Sequence, residues 1–221
     1  MPADGNETRK AIVKLNDEGT LEGTVTIELN GQRALAYRLE NYDEQQDKRE
    51  SMIKDDVTRH ISNAEVTGIT IENFSDISKP IIQHYSIKIP NYAQKTGKRM
   101  FFQPGLFEYG ETPIFASADR KYDVSFRYPW SEDDSVNITF PDTYAVDNGE
   151  SPGSIADNSK IISDDVSIRL DASKSQLYYV RKFYCGSKGS VFFSVGNYTA
   201  LKGLFDVIHK NDSQQLSIKQ K

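Results

Sequence analysis

The sequence predicts a mainly β protein, an antiparallel β-sandwich with a helical insertion at about 31–60 and a C-terminal helix at about 197–210. Several segments alternate apolar and polar residues with a period of two, which is typical of strands with one buried face. Tyr (12) and Phe (11) far outnumber Trp (1), and together with many Thr, Val and Ile this composition favours strands. Two segments instead space their apolar residues three and four apart, as amphipathic helices do.

Length and charge narrow the class of protein. The 221 residues fit a single domain, or two tightly packed β subdomains at about 10–119 and 120–219. The net charge is −5 without a basic stripe, so we expect no nucleic-acid partner. No apolar run approaches the roughly 18 residues of a membrane span. The polar start after Met1 carries no apolar leader, and we interpret the chain as a fragment of a longer protein.

The first half of the chain is predicted to hold one antiparallel hairpin and three further strands. Alternating residues at 11–15 and 24–29 flank the turn Asn16–Gly19, which predicts a hairpin. Gly68 interrupts the next strand and indicates a β-bulge. The other strands are predicted at 63–74, 85–90 and 99–103, and an irregular stretch at 104–119.

Between these strands the period changes to that of a helix. Leu35, Leu39 and Tyr42 are spaced i, i+4, i+7, and a second apolar stripe resumes after the charged run Asp43–Glu50. The stretch 31–60 therefore predicts one bent helix or two short ones, with the apolar stripe facing a sheet and the charged face in solvent.

The stretch Arg120–Ile155 is predicted to form the central hairpin of the fold. Val124, Phe126 and Tyr128 alternate with polar residues, and a second alternation runs over 136–140. The acidic run Glu132–Asp134 lies between them and is interpreted as a solvated turn.

The last third adds strands and a helix. A strand at 166–170 is followed by a predicted hairpin of 177–184 with 190–195, across Gly186–Gly189. The C-terminal helix carries one apolar stripe for docking on a sheet, formed by Leu201, Leu204, Phe205 and Ile208. Leu216 and Ile218 indicate a short final strand.

Candidate catalytic and metal-binding residues are few. Cys185, His209 and Asp212 follow a Cys-His-Asp order, but Cys185 ends a strand rather than starting a helix, so we interpret it as a half-buried structural cysteine. His60, His84 and His209 form no zinc-ligand spacing, and Glu132–Asp134 lacks the rest of a calcium loop. The sequence predicts no cofactor and no metal.

Aromatic residues are the remaining candidates for a binding site. Trp130 at a strand end, with Tyr178 and Tyr179 on a predicted strand, are candidate contacts for a sugar or a protein partner. Core packing is the alternative interpretation of the same rings. Serine-hydrolase and phosphate-loop motifs are absent, whereas a pair of carboxylates assembled by the fold stays open.

Across about 10–219 the chain resembles the C-terminal β domain, a domain of unknown function, of bacterial transglutaminase-like proteins of the Bacteroidetes type. The residues that carry the resemblance are Gly23-Thr24-Val25, Gly31, Ala34, Arg38, Ile71-Glu72-Asn73, Pro80, Arg120, Phe126, Tyr128-Pro129, Phe140-Pro141-Asp142-Thr143-Tyr144, Ser151-Pro152, Tyr198, Leu201 and Phe205. The resemblance implies a location in the periplasm or cell envelope. It transfers no catalytic residue, because the family's Cys-His-Asp chemistry belongs to a central core that this sequence does not contain.

The function expected from this resemblance is that of a non-catalytic accessory domain, which packs on the transglutaminase-like core of the same parent chain or mediates protein or glycan interaction. One alternative is an independent carbohydrate-binding module, which would show exposed coplanar aromatic rings. The other is a hydrolase with a site assembled by the fold, which would show two close carboxylates or a Cys-His contact. An interdomain module would instead show an apolar patch near its N-terminus.

Overall fold

A computed structural model describes residues 4–221 and confirms a mainly β fold with a C-terminal helix. The strands are β1 (Gly5–Leu15), β2 (Leu21–Asn30), β3 (Glu65–Glu72), β4 (Ile81–Ile89), β5 (Gln94–Thr96), β6 (Arg99–Phe102), β7 (Val124–Ser125), β8 (Trp130–Thr139), β9 (Tyr144–Asn148), β10 (Gly153–Ala156), β11 (Ile162–Asp171), β12 (Gln176–Cys185), β13 (Phe192–Phe193) and β14 (Leu216–Gln220). The helices are α1 (Gly31–Glu40), α2 (Gln46–His60) and α3 (Tyr198–Asp212), with short 3-10 turns at Leu106–Glu108, Ser187–Gly189 and Val195–Asn197.

The largest sheet has eight strands in the order β10-β11-β12-β8-β1-β2-β4-β3. The predicted hairpin of β1 and β2 is confirmed, and its register places Ala11 opposite Val25. The sheet is mixed rather than purely antiparallel, because β1 and β8 run parallel with Ala11 opposite Val136. Gly68 lies at the register shift between Thr67 and Thr70, which confirms the predicted bulge.

Two smaller sheets complete the strand pairing. A four-stranded sheet has the order β5-β6-β14-β9, and β7 pairs with β13. Strands from both halves of the chain share the eight-stranded and the four-stranded sheets, since β8 lies between β1 and β12, and β14 lies between β6 and β9. The architecture is a β-sandwich-like α+β fold, with one face of the large sheet covered and the other open.

The covered face, here called the inner face, carries two large hydrophobic cores and a smaller cluster of Leu29, Ala34 and Ile81 beneath α1. In the first core, apolar residues of β1, β2, β8 and β12 pack against the four-stranded sheet, including Met100, Phe102 and Ile218. In the second, Trp130, Phe183 and Cys185 pack against α3. The predicted stripe of α3 is confirmed: Leu201, Phe205 and Ile208 are buried and Leu204 is half-buried.

The predicted central hairpin is wrong. Val124 and Ser125 pair with Phe193 and Phe192, not with β8. The acidic run Glu132–Asp134 is not a solvated turn but lies inside β8. A strand accommodates it because buried arginines from β1 and β12 face Glu132 and Asp134, while only Asp133 points to solvent.

The predicted hairpin of 177–184 with 190–195 is also wrong. β12 pairs on one side with β11 and on the other with β8. Val180, for example, faces Ser167 and Ser135. The chain after Gly186 turns away to form the short pair of β13 with β7.

The helical insertion is confirmed as two short helices, but the predicted orientation of α1 is wrong. The guanidinium of Arg38 turns inward and donates to the backbone oxygens of Asn73, Phe74, Asp76 and Lys79 at 2.8–2.9 Å. These charge-assisted bonds fix the inward face of α1 on a polar loop. Leu35, Leu39 and Tyr42 therefore point to solvent.

Candidate functional site

The three aromatic residues predicted as ligand contacts do not converge on one surface. Tyr179 is buried in the first core at 2 % exposure, so it offers no ring for surface stacking. Trp130 is half-buried in the second core, with ring centroids 4.9 Å from Phe126 and 5.6 Å from Phe183. Tyr178 alone lies on the open face, where its hydroxyl donates to Gln176.

Cys185 is fully buried rather than half-buried, and burial raises the pKa of its thiol to about 12. His209 and Asp212 line a cavity that Cys185 does not reach. No hydrogen bond joins Cys185 to a histidine within residues 4–221. The Cys-His-Asp order in the sequence is therefore not a catalytic triad, since the thiolate that such chemistry needs is strongly disfavoured.

The remaining histidines have local partners. His60 Nδ1 lies 3.4 Å from Glu111, and His84 Nδ1 lies 2.9 Å from the hydroxyl of Thr26. Among residues 4–221, no group of three or more His, Cys, Asp or Glu is arranged to hold a metal ion.

A cluster of charged side chains lies on the inner face between the two cores, and we call it the charged belt. Strand pairing brings these side chains together, because Asp134 of β8 lies opposite Arg9 of β1 on one side and opposite Arg181 of β12 on the other. The members of the charged belt are Arg9, Glu108, Glu132, Asp134, Asp164, Arg181 and Asp212.

Arg9 holds one end of the charged belt. Its Nε and Nη2 donate to the two carboxylate oxygens of Asp134 at 2.6 and 2.7 Å, a bidentate pair. Nη2 also donates to Glu108 at 2.5 Å, which fixes the 3-10 turn Leu106–Glu108 to the large sheet. This arginine thus joins β1, β8 and the loop that covers them.

Arg181 holds the other end and is only 3 % exposed. Its Nε donates to Asp212 at the end of α3 at 2.9 Å, and its Nη1 donates to Glu132 at 3.0 Å. Its Nε also lies 3.1 Å from Asp164, although neither oxygen of that carboxylate forms a hydrogen bond in the described part of the chain. Arg181 therefore ties α3 to the centre of the sheet.

The charged belt has five carboxyl groups for two guanidinium groups, and burial, with a smaller effect of this excess, raises the pKa of two of the five. Burial raises the pKa of Asp212 to about 8 and that of Asp164 to about 6, against the opposing effect of Arg181. Burial also acts to raise the pKa of Glu132, but Arg9, Arg181 and Arg33 together lower it. Asp212 therefore keeps its proton to a higher pH than Glu132 does.

A cavity of about 180 Å³ adjoins the charged belt, lined by Arg9, Glu108, Glu132, Arg181, His209 and Asp212. Four carboxyl groups line it, and three of them contact an arginine: Glu108 contacts Arg9, and Glu132 and Asp212 contact Arg181. The fourth, Glu111, lies 3.4 Å from His60 Nδ1 instead. Such pairing fixes these groups in place, so the arrangement is suited to holding elements together more than to exchanging protons with a substrate.

Sequence reasoning missed the charged belt, although a signal was present. Glu132 and Asp134 have the same strand parity as Val136 and Ile138, which are core residues. Arg9 likewise has the parity of Ala11 and its apolar successors in β1. A charged residue in phase with core positions needs a buried partner, and this rule would have placed these side chains on the inner face.

A second surface feature is a set of exposed apolar side chains on α1 and on the turn that follows it. Leu35, Leu39 and Tyr42 are 46, 68 and 76 % exposed, and we call them the α1 apolar surface. The patch lies near the start of the described chain, because Gly5 forms a β-bridge with Gly31, the first residue of α1. Exposed apolar side chains that form a patch mark interaction sites.

The fold defines this chain as a β-sandwich-like domain with a covered inner face. Residues 98–218 match the family model described as Domain of Unknown Function with solved-structure structure (DUF3858). The match covers more than half of the chain, which therefore belongs to this family. A comparison with curated proteins finds no match. Within residues 4–221, no helix is long and apolar enough to cross a membrane.

Proposed function

We propose that the chain is a non-catalytic accessory domain of a transglutaminase-like protein, and that it packs on the catalytic core of the same polypeptide through the α1 apolar surface. The observation that carries the proposal is the position of that surface. Leu35 and Leu39 are exposed on a helix whose first residue, Gly31, pairs with Gly5. A core joined before residue 4 would lie within reach of this patch.

The chemistry of the potential nucleophile and acids supports a non-catalytic role. Cys185 is buried with a raised thiol pKa, and three of the four carboxyl groups that line the cavity at the charged belt contact arginines. In this proposal the charged belt is structural: it fixes α3 and the 3-10 turn Leu106–Glu108 on the large sheet, so that the domain presents its surface rigidly.

The alternative of an independent carbohydrate-binding module that stacks sugars on Trp130, Tyr178 and Tyr179 receives less support. These rings lie on opposite faces of the large sheet, and two of the three belong to hydrophobic cores. The resemblance further leads us to propose a parent protein of the Bacteroidetes type in the periplasm or cell envelope.

Binding between this chain and the separately purified transglutaminase-like core of such a parent tests the proposal. We expect association by isothermal titration calorimetry, and we expect Leu39→Asp to weaken it about ten-fold or more, because a charge would be buried at the centre of an apolar contact. Ile12→Asp is the matched control, since Ile12 is also 68 % exposed but lies on the open face of the sheet. Equal binding by Leu39→Asp and the unmodified chain would refute the assignment of this surface, and no association at all would refute the proposed function.

A further inference from the structure

A groove of about 580 Å³ separates α1 and α2 from the inner face of the large sheet, and we call it the helix–sheet groove. Its polar and aromatic lining includes Arg33, Tyr37 and Asn41 on the helical side, with Gln83, Tyr85 and Tyr128 opposite. The volume falls within the range of about 300–1,000 Å³ that is usual for small-molecule sites.

Buried polar atoms without partners distinguish this groove from a packing gap. Asn41 is 3 % exposed, and its Oδ1 has no hydrogen-bond partner within residues 4–221, although its Nδ2 donates to the Tyr37 backbone oxygen. Arg33 Nη2 donates to Glu132 at 3.1 Å, but its Nε is buried and lies 3.8 Å from Glu7, too far for a hydrogen bond. Such atoms cost free energy when left unpaired, so a cluster of them in one groove points to a ligand.

The hydroxyl of Tyr37 is the third such atom. Burial raises the pKa of this phenol, and the charge of Arg49 and, to a smaller extent, Gln83 act in the opposite direction, yet Tyr37 and Gln83 do not meet hydrogen-bond geometry. All three atoms are closed to solvent, so a ligand reaches them only when the surrounding side chains move. They would then supply one N–H donor, one carbonyl acceptor and one hydroxyl that does both.

The charge of the lining is nearly balanced. Three arginines are present, together with four acidic side chains, namely Glu7, Glu40, Asp55 and Asp56, and burial raises the pKa of Glu7. The groove therefore has no strong electrostatic potential of one sign that would favour a highly charged ligand. Apolar surface is supplied by the rings of Tyr37, Tyr85 and Tyr128 and by aliphatic side chains. A neutral ligand with many hydroxyl groups and an apolar ring face matches this combination.

An extended peptide matches the groove less well. The inner strands β1, β2 and β4 each have a paired neighbour on both sides, so they leave no free backbone edge for strand addition. Recognition must use side chains, which suits a hydroxyl-bearing ring more than a peptide backbone.

We propose that the helix–sheet groove binds a short neutral saccharide through Arg33, Tyr37 and Asn41. The site is independent of the interdomain contact, because these residues face the groove while Leu35 and Leu39 lie on the opposite side of α1.

Amide NMR titration of the full chain with maltotriose, cellotriose, xylotriose, mannotriose and chitotriose, each at millimolar concentration, tests the proposal. We expect at least one trisaccharide to shift the resonances of Arg33, Tyr37 and Asn41 with a saturable Kd. Tyr37→Phe and Arg33→Lys should each raise that Kd about three- to ten-fold, the worth of one hydrogen bond. Tyr37→Phe should leave the free protein folded, since the hydroxyl it removes has no partner.

Tyr122→Phe is the matched control, because Tyr122 is 80 % exposed and lies outside the groove, and it should leave the Kd unchanged. Leu39→Asp should also retain saccharide binding, so failure of the interdomain proposal and failure of this one are distinguishable. The proposal would be overturned if no trisaccharide shifted these resonances, if Tyr37→Phe and Arg33→Lys bound like the unmodified chain, or if acetylated, amidated tetra-alanine bound there instead.

Discussion

Replacing Arg181 by Met tests whether the charged belt holds the two cores together. In the described part of the chain, Arg181 is the only positively charged side chain within 4 Å of Asp164 or Asp212, at 3.1 and 2.9 Å. The change leaves both buried carboxyl groups without a positive partner. Breaking a buried ion pair in this way costs about 3–5 kcal/mol of unfolding free energy, and we expect that loss at pH 8.

The loss should be smaller at low pH, because an unpartnered carboxyl group can take up a proton. The pKa values of about 6 for Asp164 and about 8 for Asp212 rise further when Arg181 is removed. Each unit of that rise is worth about 1.4 kcal/mol, so the destabilisation at pH 5 should be smaller than that at pH 8 by about that amount or more.

Urea denaturation followed by the fluorescence of Trp130, the single tryptophan, measures both values. Arg59→Met is the control, because Arg59 forms an exposed pair with Asp56 that is worth about 1 kcal/mol or less. A loss below about 1 kcal/mol for Arg181→Met at pH 8, or the same loss at both pH values, would show that the charged belt does not stabilise the fold as described.

Three further predictions concern the two cores and their boundary. The pKa of Asp212 in the folded protein, about 8, exceeds its unfolded value, so the contribution of Asp212 to the unfolding free energy is full below about pH 4 and is lost as the pH rises through 8. Urea denaturation at pH values from 5 to 8 should therefore show a falling unfolding free energy. Asp212→Asn, which cannot ionise, should make that fall less steep. Cys185 should resist a thiol reagent such as DTNB in buffer and react once urea unfolds the chain; rapid labelling of the folded protein would contradict its burial. Phe205→Ala should cost about 3–5 kcal/mol in thermal or urea denaturation, because its buried ring packs against Phe115 and Phe183; a cost like that of replacing the exposed Val207 by Ala would contradict the second core.

The elements that sequence reasoning placed correctly are those specified by local patterns. Alternation over β1 and β2 with a short turn between them requires only neighbours in the chain, and the hairpin is confirmed. The stripe of α3 is likewise a local 3.6-residue pattern. Gly68 marks the bulge in β3, where its φ is +62°.

The errors arose where a strand's partner lies far away in the sequence. Nothing near β8 indicates that it pairs with β1, more than 100 residues earlier, or that β12 closes its other side. The acidic run in β8 lies between two alternating segments, and this local pattern predicts a turn that the structure does not contain. Alternation specifies which side chains share a face, but it does not specify which strand lies alongside.

The sequence by itself determined the β class, the positions of the helices and the strand parity that puts Glu132 and Asp134 in phase with core residues. Only the tertiary structure brought Arg9 and Arg181 to those carboxyl groups, turned Arg38 toward the backbone oxygens of Asn73 and its neighbours, and left Leu39 in solvent. The physical reason is that a buried charge is stable only beside its partners, and the partners come from strands that long-range pairing assembles.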